Sequence, residues 1–451
     1  MKSIDKLKRL TGEDKAPPKT DAVAASDEKL RQLSELRRRI EHVTTRLQAK
    51  SVAALSEKRQ RGNRGLVELL DGTEVENEHG RFFLVSDVVS GSSRHGSRNL
   101  AQAFDCDMTA AGMLANNPAI SRYSASDALF LDTETTGLSG GSGTMPFLIG
   151  LGWFEQGAFH VHQLLARDFG EEKAALAHLE QISVQKKFLV TFNGKAFDVN
   201  LLTTRFILNR LHFDLSCLPH LDLLHPSRRI LGHRLDNCRL STLEERILGV
   251  QREGDIPGSE IPQRYFDWLR RRNPGLLADI FEHNRLDVIS MATLMAHLAE
   301  ILCARASQDC VHKDDYLAAA RLRLDRADSD GAKKIMDTIP NADSPDASFR
   351  SQKKLAELCR RTGRIDRAVN IWRQMAKCDP SAFYPVSELA KYLEHHQRDF
   401  AGARSIVEKA LASGGVFSEK EMQSLKLRLR RLDKKIIASR DMPEKKPAGS
   451  K

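Results

Sequence analysis

Short apolar runs alternate with segments of helical spacing between residues 126 and 305. Five apolar runs bounded by polar or turn residues predict β-strands. They are Ala128–Leu131, Phe147–Phe154, Phe159–Leu165, Phe188–Phe192 and His220–Leu224. Helical spacing predicts the helices Glu171–Ile182, Phe197–Leu208, Leu243–Leu248 and Leu276–Leu302. Three strands in succession, followed by alternating helices and strands, predict an α/β domain whose mixed sheet is flanked by helices.

The pattern changes on both sides of this segment. Residues 66–125 combine strand-like pieces with Gly and Ser turns, which predicts a small strand-rich region without an assigned function. From residue 313 to 435 the spacing is helical throughout, and three alanines recur 36 and 35 residues apart, namely Ala332, Ala368 and Ala403. A period near ~34 residues resembles tetratricopeptide (TPR) repeats, and a plain helical bundle is the alternative.

Both ends of the chain are polar. Their polar composition predicts disorder over residues 1–25 and over the Lys/Pro-rich residues 436–451. A helix is predicted from Ser26, and its arginines suit either a docking helix or a basic arm that contacts phosphates. The predicted organisation is therefore 1–65 disordered and then a basic helix, 66–125 strand-rich, 126–305 α/β, 313–435 helical repeats and 436–451 tail.

Composition limits the functional classes. The 451 residues exceed one typical core, and 70 Lys and Arg against 60 Asp and Glu give a net charge of +10. This charge favours a polyanion such as nucleic acid as partner, with plain solubility as the alternative. The seven cysteines contain no C-x-x-C pair, which argues against a disulfide framework. Without an apolar signal segment or a run of ~18 apolar residues, the chain is predicted to be cytoplasmic and outside the membrane.

Two carboxylates end the first strand of the predicted sheet. Asp132 and Glu134 follow the apolar run directly, and side chains two residues apart in a strand share one face. Adjacent anions repel each other unless a cation joins them, and a divalent metal ion is the usual solution. The sequence therefore predicts a metal site at this strand end.

Two further acids follow in order along the chain. Asp198 comes after an Asn-Gly turn at the end of a strand, where a helix begins. His283 and Asp287 are four residues apart in a predicted helix and so share one face. Alone, Asp198 also suits the positive end of the helix dipole, and the His-Asp pair suits a surface hydrogen bond.

Together these motifs resemble a known nuclease family. The stretches Phe130–Leu138, Phe192–Asp198, Leu243–Gly249 and His283–Asp287 are similar to the DnaQ-like DEDD 3′→5′ exonucleases. Within that group they resemble the YprB-like ribonuclease H-like domain proteins, over roughly residues 66–305. DEDD exonucleases usually place Tyr four residues, or His five residues, before the last Asp, whereas this chain has His at the four-residue spacing.

The resemblance implies a ribonuclease H-like fold and two Mg²⁺ or Mn²⁺ ions. Asp132 would bridge both ions, Glu134 and Asp287 would hold the ion that activates water, and Asp198 would act largely through water. His283 would take the proton of the attacking water. The expected substrate is single-stranded DNA or RNA, cut to nucleoside 5′-monophosphates. Five positions are candidate contacts for the terminal nucleotide, namely Thr135, Gly137, Leu138, Asn193 and Lys195. For Asn193 and Lys195, turn formation and solvation are the alternative roles.

Two other functions remain open from the sequence. One is a catalytically silent protein of this fold that binds nucleic acid or recruits a protein partner through its TPR-like repeats. The other is an endonuclease of the same fold. No motif distinguishes DNA from RNA, because that choice depends on contacts to one 2′-hydroxyl group.

Overall fold

The computed structural model describes residue 38 and residues 57–137, 143–305, 312–339 and 348–440. The predicted disordered N-terminal segment, and the predicted basic helix before residue 57, lie almost wholly outside these ranges. Leu138 and the end of the chain after residue 440 also lie outside the described residues. Among the described residues, no helix combines the length and apolar character that crossing a membrane requires.

A seven-stranded mixed sheet forms the centre of the molecule. Its strands are β1 (Thr73–Asn77), β2 (Gly80–Ser90), β5 (Ala128–Thr135), β6 (Pro146–Glu155), β7 (Ala158–Leu165), β8 (Phe188–Thr191) and β9 (His220–Asp222). A separate two-stranded ladder contains β3 (Arg94–His95) and β4 (Arg98–Asn99). The sheet order is β1-β2-β7-β6-β5-β8-β9, with β5, β8 and β9 parallel and the other neighbours antiparallel. This arrangement confirms the predicted ribonuclease H-like fold class.

The edge strands come from the region before the predicted α/β domain. β1 and β2 form a hairpin, and β2 pairs antiparallel with β7 from Phe83 opposite Leu165 to Ser90 opposite Ala158. Phe82 and Phe83 are fully buried and belong to separate apolar clusters. Residues 66–125 therefore extend the sheet that carries the predicted site.

Helices cover both faces of the sheet and form the C-terminal part of the chain. In the first part they are α1 (residues 57–70), α2 (Ala101–Phe104), α3 (Met108–Ala115), α4 (Glu172–Ser183), α5 (Asp198–Leu208), α6 (Leu224–Ile230), α7 (Leu240–Leu243), α8 (Ile261–Arg271) and α9 (Gly275–Leu302). A π-helical turn, Glu244–Leu248, follows α7. In the second part they are α10 (Lys313–Asp325), α11 (Ser329–Thr338), α12 (Phe349–Arg361), α13 (Ile365–Cys378), α14 (Phe383–Tyr392), α15 (Phe400–Ala412) and α16 (Glu419–Arg440).

The first strand of the predicted domain shows how the sheet separates two cores. Phe130 of β5 packs into the cluster that contains α9, whereas Leu129 and Leu131 pack into the cluster that contains α5. This is the period-2 alternation of a strand buried on both faces. Asp132 and Glu134 continue the register of Phe130 and so face the α9 side.

The C-terminal helices pack against one another in successive pairs. Ala332, Ala368 and Ala403 are each the fourth residue of α11, α13 and α15, and each is fully buried. Small residues at these positions let the helices of each pair approach closely. One apolar cluster runs from α9 into this region without interruption. The helical region is confirmed, and its assignment to TPR repeats stays a prediction.

Candidate active site

The site lies where the three parallel strands end. β5 contributes Asp132 and Glu134, β8 leads into the turn before Asp198, and β9 ends at Asp222. Asp132 pairs with Gly150 of β6, and Glu134 pairs with Leu148, so both carboxylates leave the strand on the same face. The carboxyl ends of neighbouring parallel strands form the crevice in which open α/β sheets bind ligands.

Asp198 reaches the strand end from the other side of the sheet. It is the first residue of α5, whose apolar face packs in the same cluster as Leu129 and Leu131. The Thr133 hydroxyl donates a 2.5 Å hydrogen bond to Asp198 Oδ1, which ties the helix start to β5. Thr133 lies between Asp132 and Glu134 in sequence, so this hydrogen bond holds Asp198 close to both of those carboxylates.

A buried carboxylate shapes the turn that precedes Asp198. The Asp222 side chain accepts hydrogen bonds from the backbone N–H groups of Asn193 (2.8 Å), Lys195 (3.1 Å) and Leu224 (3.1 Å). Asn193 adopts a left-handed conformation with φ of 67°, and a Cβ at Gly194 would lie 2.6 Å from Thr191 Cβ. The Asn-Gly sequence and Asp222 together set the approach of the chain to the site.

Helix α9 brings a second set of side chains to Asp132. Asn284 is fully buried and donates from Nδ2 to Asp132 Oδ2 at 2.9 Å. Gln163 Nε2 donates to Asn284 Oδ1 at 2.9 Å and to the Phe281 carbonyl at 2.7 Å, which fixes the orientation of the amide. The helix approaches β6 closely because Gly150 has no side chain.

His283 lies between two of the predicted acids. Its Nε2 is 3.9 Å from Glu134 Oε1 and 3.8 Å from Asp287 Oδ2. Its Nδ1 is 2.7 Å from Asp255 Oδ1. With a proton on Nδ1 shared with Asp255, the Nε2 lone pair faces the cleft, an arrangement that suits a general base.

A buried arginine supplies positive charge beside the acids. Arg252 Nη2 contacts Asp287 and lies 2.5 Å from Glu244 Oε1, while Nη1 lies 3.3 Å from Asp255 Oδ2. The Ser290 hydroxyl also donates to Glu244. Arg252 is the cationic neighbour that the sequence analysis did not identify, because no motif surrounds it.

The acids influence each other electrostatically. Burial, and then the charges of Asp287 and Asp198, raise the pKa of Asp132 well above its usual value. Burial and the charges of Asp132, Asp287 and Asp198 do the same to the pKa of Glu134. Burial raises the pKa of Asp198 to about 6, against the hydrogen bond from Thr133. The four carboxylates therefore lie within each other's electrostatic field at one edge of the sheet.

The carboxylates are not drawn into a single tight cluster. In the described part of the chain, His233, His312 and Asp314 bring their ligand atoms within 4.8 Å of one another, as a preformed metal site would. The four predicted acids do not come together this closely among the described residues. In the site itself, the oxygens of Asp132, Asp198 and Asp287 are engaged by amide, hydroxyl and guanidinium groups respectively. The donor set still fits Mg²⁺ or Mn²⁺, because it consists of hard carboxylate oxygen atoms whose charges repel one another.

The predicted substrate contacts fall into two groups. Thr135 and Gly137 line the strand end, where the Thr135 hydroxyl donates to the Gly137 carbonyl at 2.7 Å. Asn193 and Lys195 lie in the turn before α5, and the Lys195 side chain is exposed. Leu138 lies outside the described residues. Phe197, beside Asp198, is 51% exposed and presents an apolar ring that the sequence analysis did not propose as a contact.

Sequence reasoning missed five residues that surround the predicted acids. They are Gln163, Asp222, Arg252, Asp255 and Asn284. Two of them carried a usable signal. Asp222 ends a short apolar strand just as Asp132 does, and Asn284 lies inside the His283–Asp287 motif.

Comparison with known proteins places the site in a known domain. Residues 129–299, which contain all four predicted acids, match the family model described as RNase_H superfamily. The chain is also similar to the uncharacterized protein YprB of Bacillus subtilis (strain 168). The two are 33% identical over 319 residues, which cover 69% of this chain and 76% of that protein.

Proposed function

Since this chain belongs to the YprB family and carries an RNase H superfamily domain, we propose that it is a metal-dependent 3′→5′ exonuclease. Its substrate would be single-stranded nucleic acid and its products nucleoside 5′-monophosphates. The observation that carries the proposal is the meeting of Asp132, Glu134, Asp198 and Asp287 at one sheet edge, where each of the first three has a raised pKa. Groups perturbed in this way concentrate at catalytic sites.

The four carboxylates would hold one or two divalent cations, Mg²⁺ or Mn²⁺. When bound, such ions supply activation of water and stabilisation of the leaving oxygen in phosphodiester hydrolysis. The chain's own part is to present hard oxygen ligands without steric conflict. Asn284 and Thr133 do this for Asp132 and Asp198, because each donates one hydrogen bond and so fixes the carboxylate plane.

His283 is the proposed general base. Asp255 orients the imidazole through Nδ1, and the free Nε2 faces the space between Glu134 and Asp287. The imidazole accepts the proton of the attacking water at Nε2, and Asp255 stabilises the imidazolium that forms. The proposal assigns His283 this role although DEDD exonucleases usually have a different residue at this spacing.

The turn before α5 is the proposed contact for the 3′-terminal nucleotide. Lys195 offers an exposed ammonium group for a phosphate, and Phe197 offers an exposed ring for stacking on a base. Thr135 and Gly137 would border the same pocket from β5. The positive charge of Arg252 offsets the negative charges of Asp287 and Glu244, which lowers the net negative charge on that side of the cleft.

A time course with a 5′-labelled single strand tests this proposal. With Mn²⁺ present, the protein is expected to produce a stepwise ladder of shortened strands, and Asp132→Asn is expected to reduce the rate by at least ~10³-fold. Asp236→Asn is the matched control, because it removes an exposed carboxylate outside the site.

The same experiment separates the two alternatives. Early internal cuts would identify an endonuclease. Absence of any cleavage by the wild type, on DNA and on RNA, would identify a silent binding protein. Either result would contradict the exonuclease proposal.

A further inference from the structure

Two basic cavities adjoin each other on the helical region, outside the catalytic site. One, of about 520 Å³, lies where α6 of the sheet domain meets α10 and α12. The other, of about 410 Å³, is lined by α12, α13, α14 and α16. Arg360 lines both cavities, and we call the two neighbouring cavities together the basic groove.

The basic groove carries an excess of positive charge. Eight Arg and Lys side chains line it against three carboxylates. One of these acids, Asp325, is already shared between Arg229 at 2.6 Å and Arg361 at 3.0 Å. Within the described part of the chain, the guanidinium groups of Arg321 and Arg360 have no hydrogen bond or ion pair. The groove therefore has cations available for an anionic ligand.

A buried acid orients further cations at the far end of the groove. Glu394 has no exposed side-chain surface and binds Arg428 at 2.7 Å, Arg431 at 2.8 Å and Lys435 at 2.9 Å. Three positive charges on one carboxylate leave a net positive surface. Arg428 and Arg431 line the second cavity, and their shared buried partner holds both side chains in position there.

Aromatic side chains lie among these cations. The rings of Tyr392 and His396 are stacked, with centroids 5.5 Å apart and planes inclined by 23°. Both line the second cavity beside Arg428 and Arg431, and Tyr392 is partly exposed. Cations that contact a backbone, with aromatic rings on which bases stack, are the two features of sites for single-stranded nucleic acid.

We propose that the basic groove binds the phosphate backbone of single-stranded nucleic acid, with Tyr392 as a stacking platform. This inference rests on the proposed function and deepens it, because it gives the substrate a second contact away from the carboxylates. It also assigns the helical region a nucleic-acid ligand, whereas the sequence suggested a protein partner. Free nucleotides share the phosphate chemistry, and the test distinguishes them from a strand.

The test is equilibrium binding by the full-length Asp132→Asn protein in EDTA, so that no strand is cut. A fluorescently labelled single strand of about 20 nucleotides is titrated at several salt concentrations and followed by anisotropy. Arg321→Ala and Arg360→Ala are each expected to weaken binding by about 3- to 10-fold and to reduce the salt slope by about 0.7. Tyr392→Leu is expected to weaken binding about fivefold without changing the salt slope.

Arg430→Ala is the matched control, because Arg430 is exposed on α16 but does not line either cavity. It is expected to change affinity by less than about twofold. Thermal unfolding of each variant establishes that the helical region is folded. A fold-intact Arg360→Ala and Arg321→Ala pair with parental affinity and slope would overturn the proposal.

Two competitors decide between the ligand classes. Unlabelled single strand should displace the probe at far lower phosphate concentration than a free nucleotide such as ATP. Equal displacement per phosphate would show a nucleotide site, and tighter binding of a poly-glutamate peptide would show a site for acidic protein, and both results overturn the proposal. Because binding is measured without metal in an inactive variant, failure of the exonuclease proposal leaves this result interpretable.

Discussion

Gly150 allows the contact between helix α9 and β6 that positions Asp132. It lies opposite Asp132 in the β5–β6 ladder. A Cβ at this position would lie 2.3 Å from Asn284 Oδ1 and 2.7 Å from Asn284 Nδ2, whereas ordinary contacts begin at 3.4 Å. In Gly150→Ala, the Asn284 amide must therefore retreat by about 1 Å, and Gln163 and the buried surroundings oppose that movement.

Two effects set the size of the expected change. Overpacking a buried position costs about 1–3 kcal/mol, and a hydrogen bond to a carboxylate contributes about 1.5–3 kcal/mol. We expect Gly150→Ala to lower the free energy of unfolding by about 2 kcal/mol. Because a displacement of about 1 Å at a positioning group can reduce catalysis ~10²-fold, cleavage of a single strand should fall by about that factor.

A double-mutant cycle with Asn284→Ala isolates this contact. Urea unfolding gives the free energy for the wild type, the two single variants and the double variant. Asn284→Ala vacates the space that the new Cβ needs, so Gly150→Ala should cost less than about 0.5 kcal/mol in that background. The expected coupling energy is therefore about 1.5 kcal/mol.

Gly258→Ala provides the matched control for the cycle. A Cβ at Gly258 has no neighbour within 4 Å, so this variant should be nearly neutral. An equal cost of Gly150→Ala in both backgrounds would refute the reasoning, because it would mean that Asn284 does not limit the space at Gly150.

Three further changes test other parts of the site and the helical region. Asp222→Asn removes the negative charge of a carboxylate that accepts hydrogen bonds from three backbone N–H groups. Urea unfolding should show a loss of about 2 kcal/mol in the free energy of unfolding, and an unchanged value would contradict the role of Asp222 in holding the turn. Asp255→Asn should lower kcat about 10-fold with little change in KM, because the His283 imidazole loses its orienting partner, whereas a change confined to KM would argue against that role. Glu394→Gln should destabilise the protein by about 2 kcal/mol at pH 7, since it leaves paired cations without their buried acid. Burial raises the pKa of Glu394, but hydrogen bonds from α16 lower it overall to about 2, below its usual value of 4.5. The difference in unfolding free energy between wild type and Glu394→Gln should therefore persist above about pH 4.5 and vanish as the pH falls towards 2.

The sequence predicted the strands of the sheet because each apolar run has a clear end. The run through Leu131 stops at Asp132, and the run through Val190 stops at an Asn-Gly turn. It did not predict that β1 and β2 join the same sheet. Over much of both strands exposed positions alternate with half-buried ones, and such a pattern does not identify the strand with which an edge strand pairs.

Local motifs predicted which acids lie near one another but not which other residues surround them. Asp132 and Glu134 follow a buried apolar run and Asp198 begins a helix, which periodicity locates well, whereas Asp287 lies mid-helix and was found by its four-residue spacing from His283. Arg252 and Asp255 come from the loop before α8, and only tertiary packing brings that loop to His283. Likewise, the placement of α5 and α9 on opposite faces of the sheet depends on the handedness of the connections rather than on any residue near the site.

The central claim is that four carboxylates from three elements, β5, α5 and α9, together bind divalent cations. Mn²⁺ titration of the full-length protein, followed by calorimetry or by the spin signal of free Mn²⁺, tests it most directly. We predict saturable binding that Asp132→Asn and Asp287→Asn each weaken by at least about 10-fold, and that His312→Ala, which changes the separate His233, His312 and Asp314 group, leaves intact. Wild-type protein that binds no Mn²⁺, or binding that is lost in His312→Ala but retained in Asp132→Asn, would contradict the account.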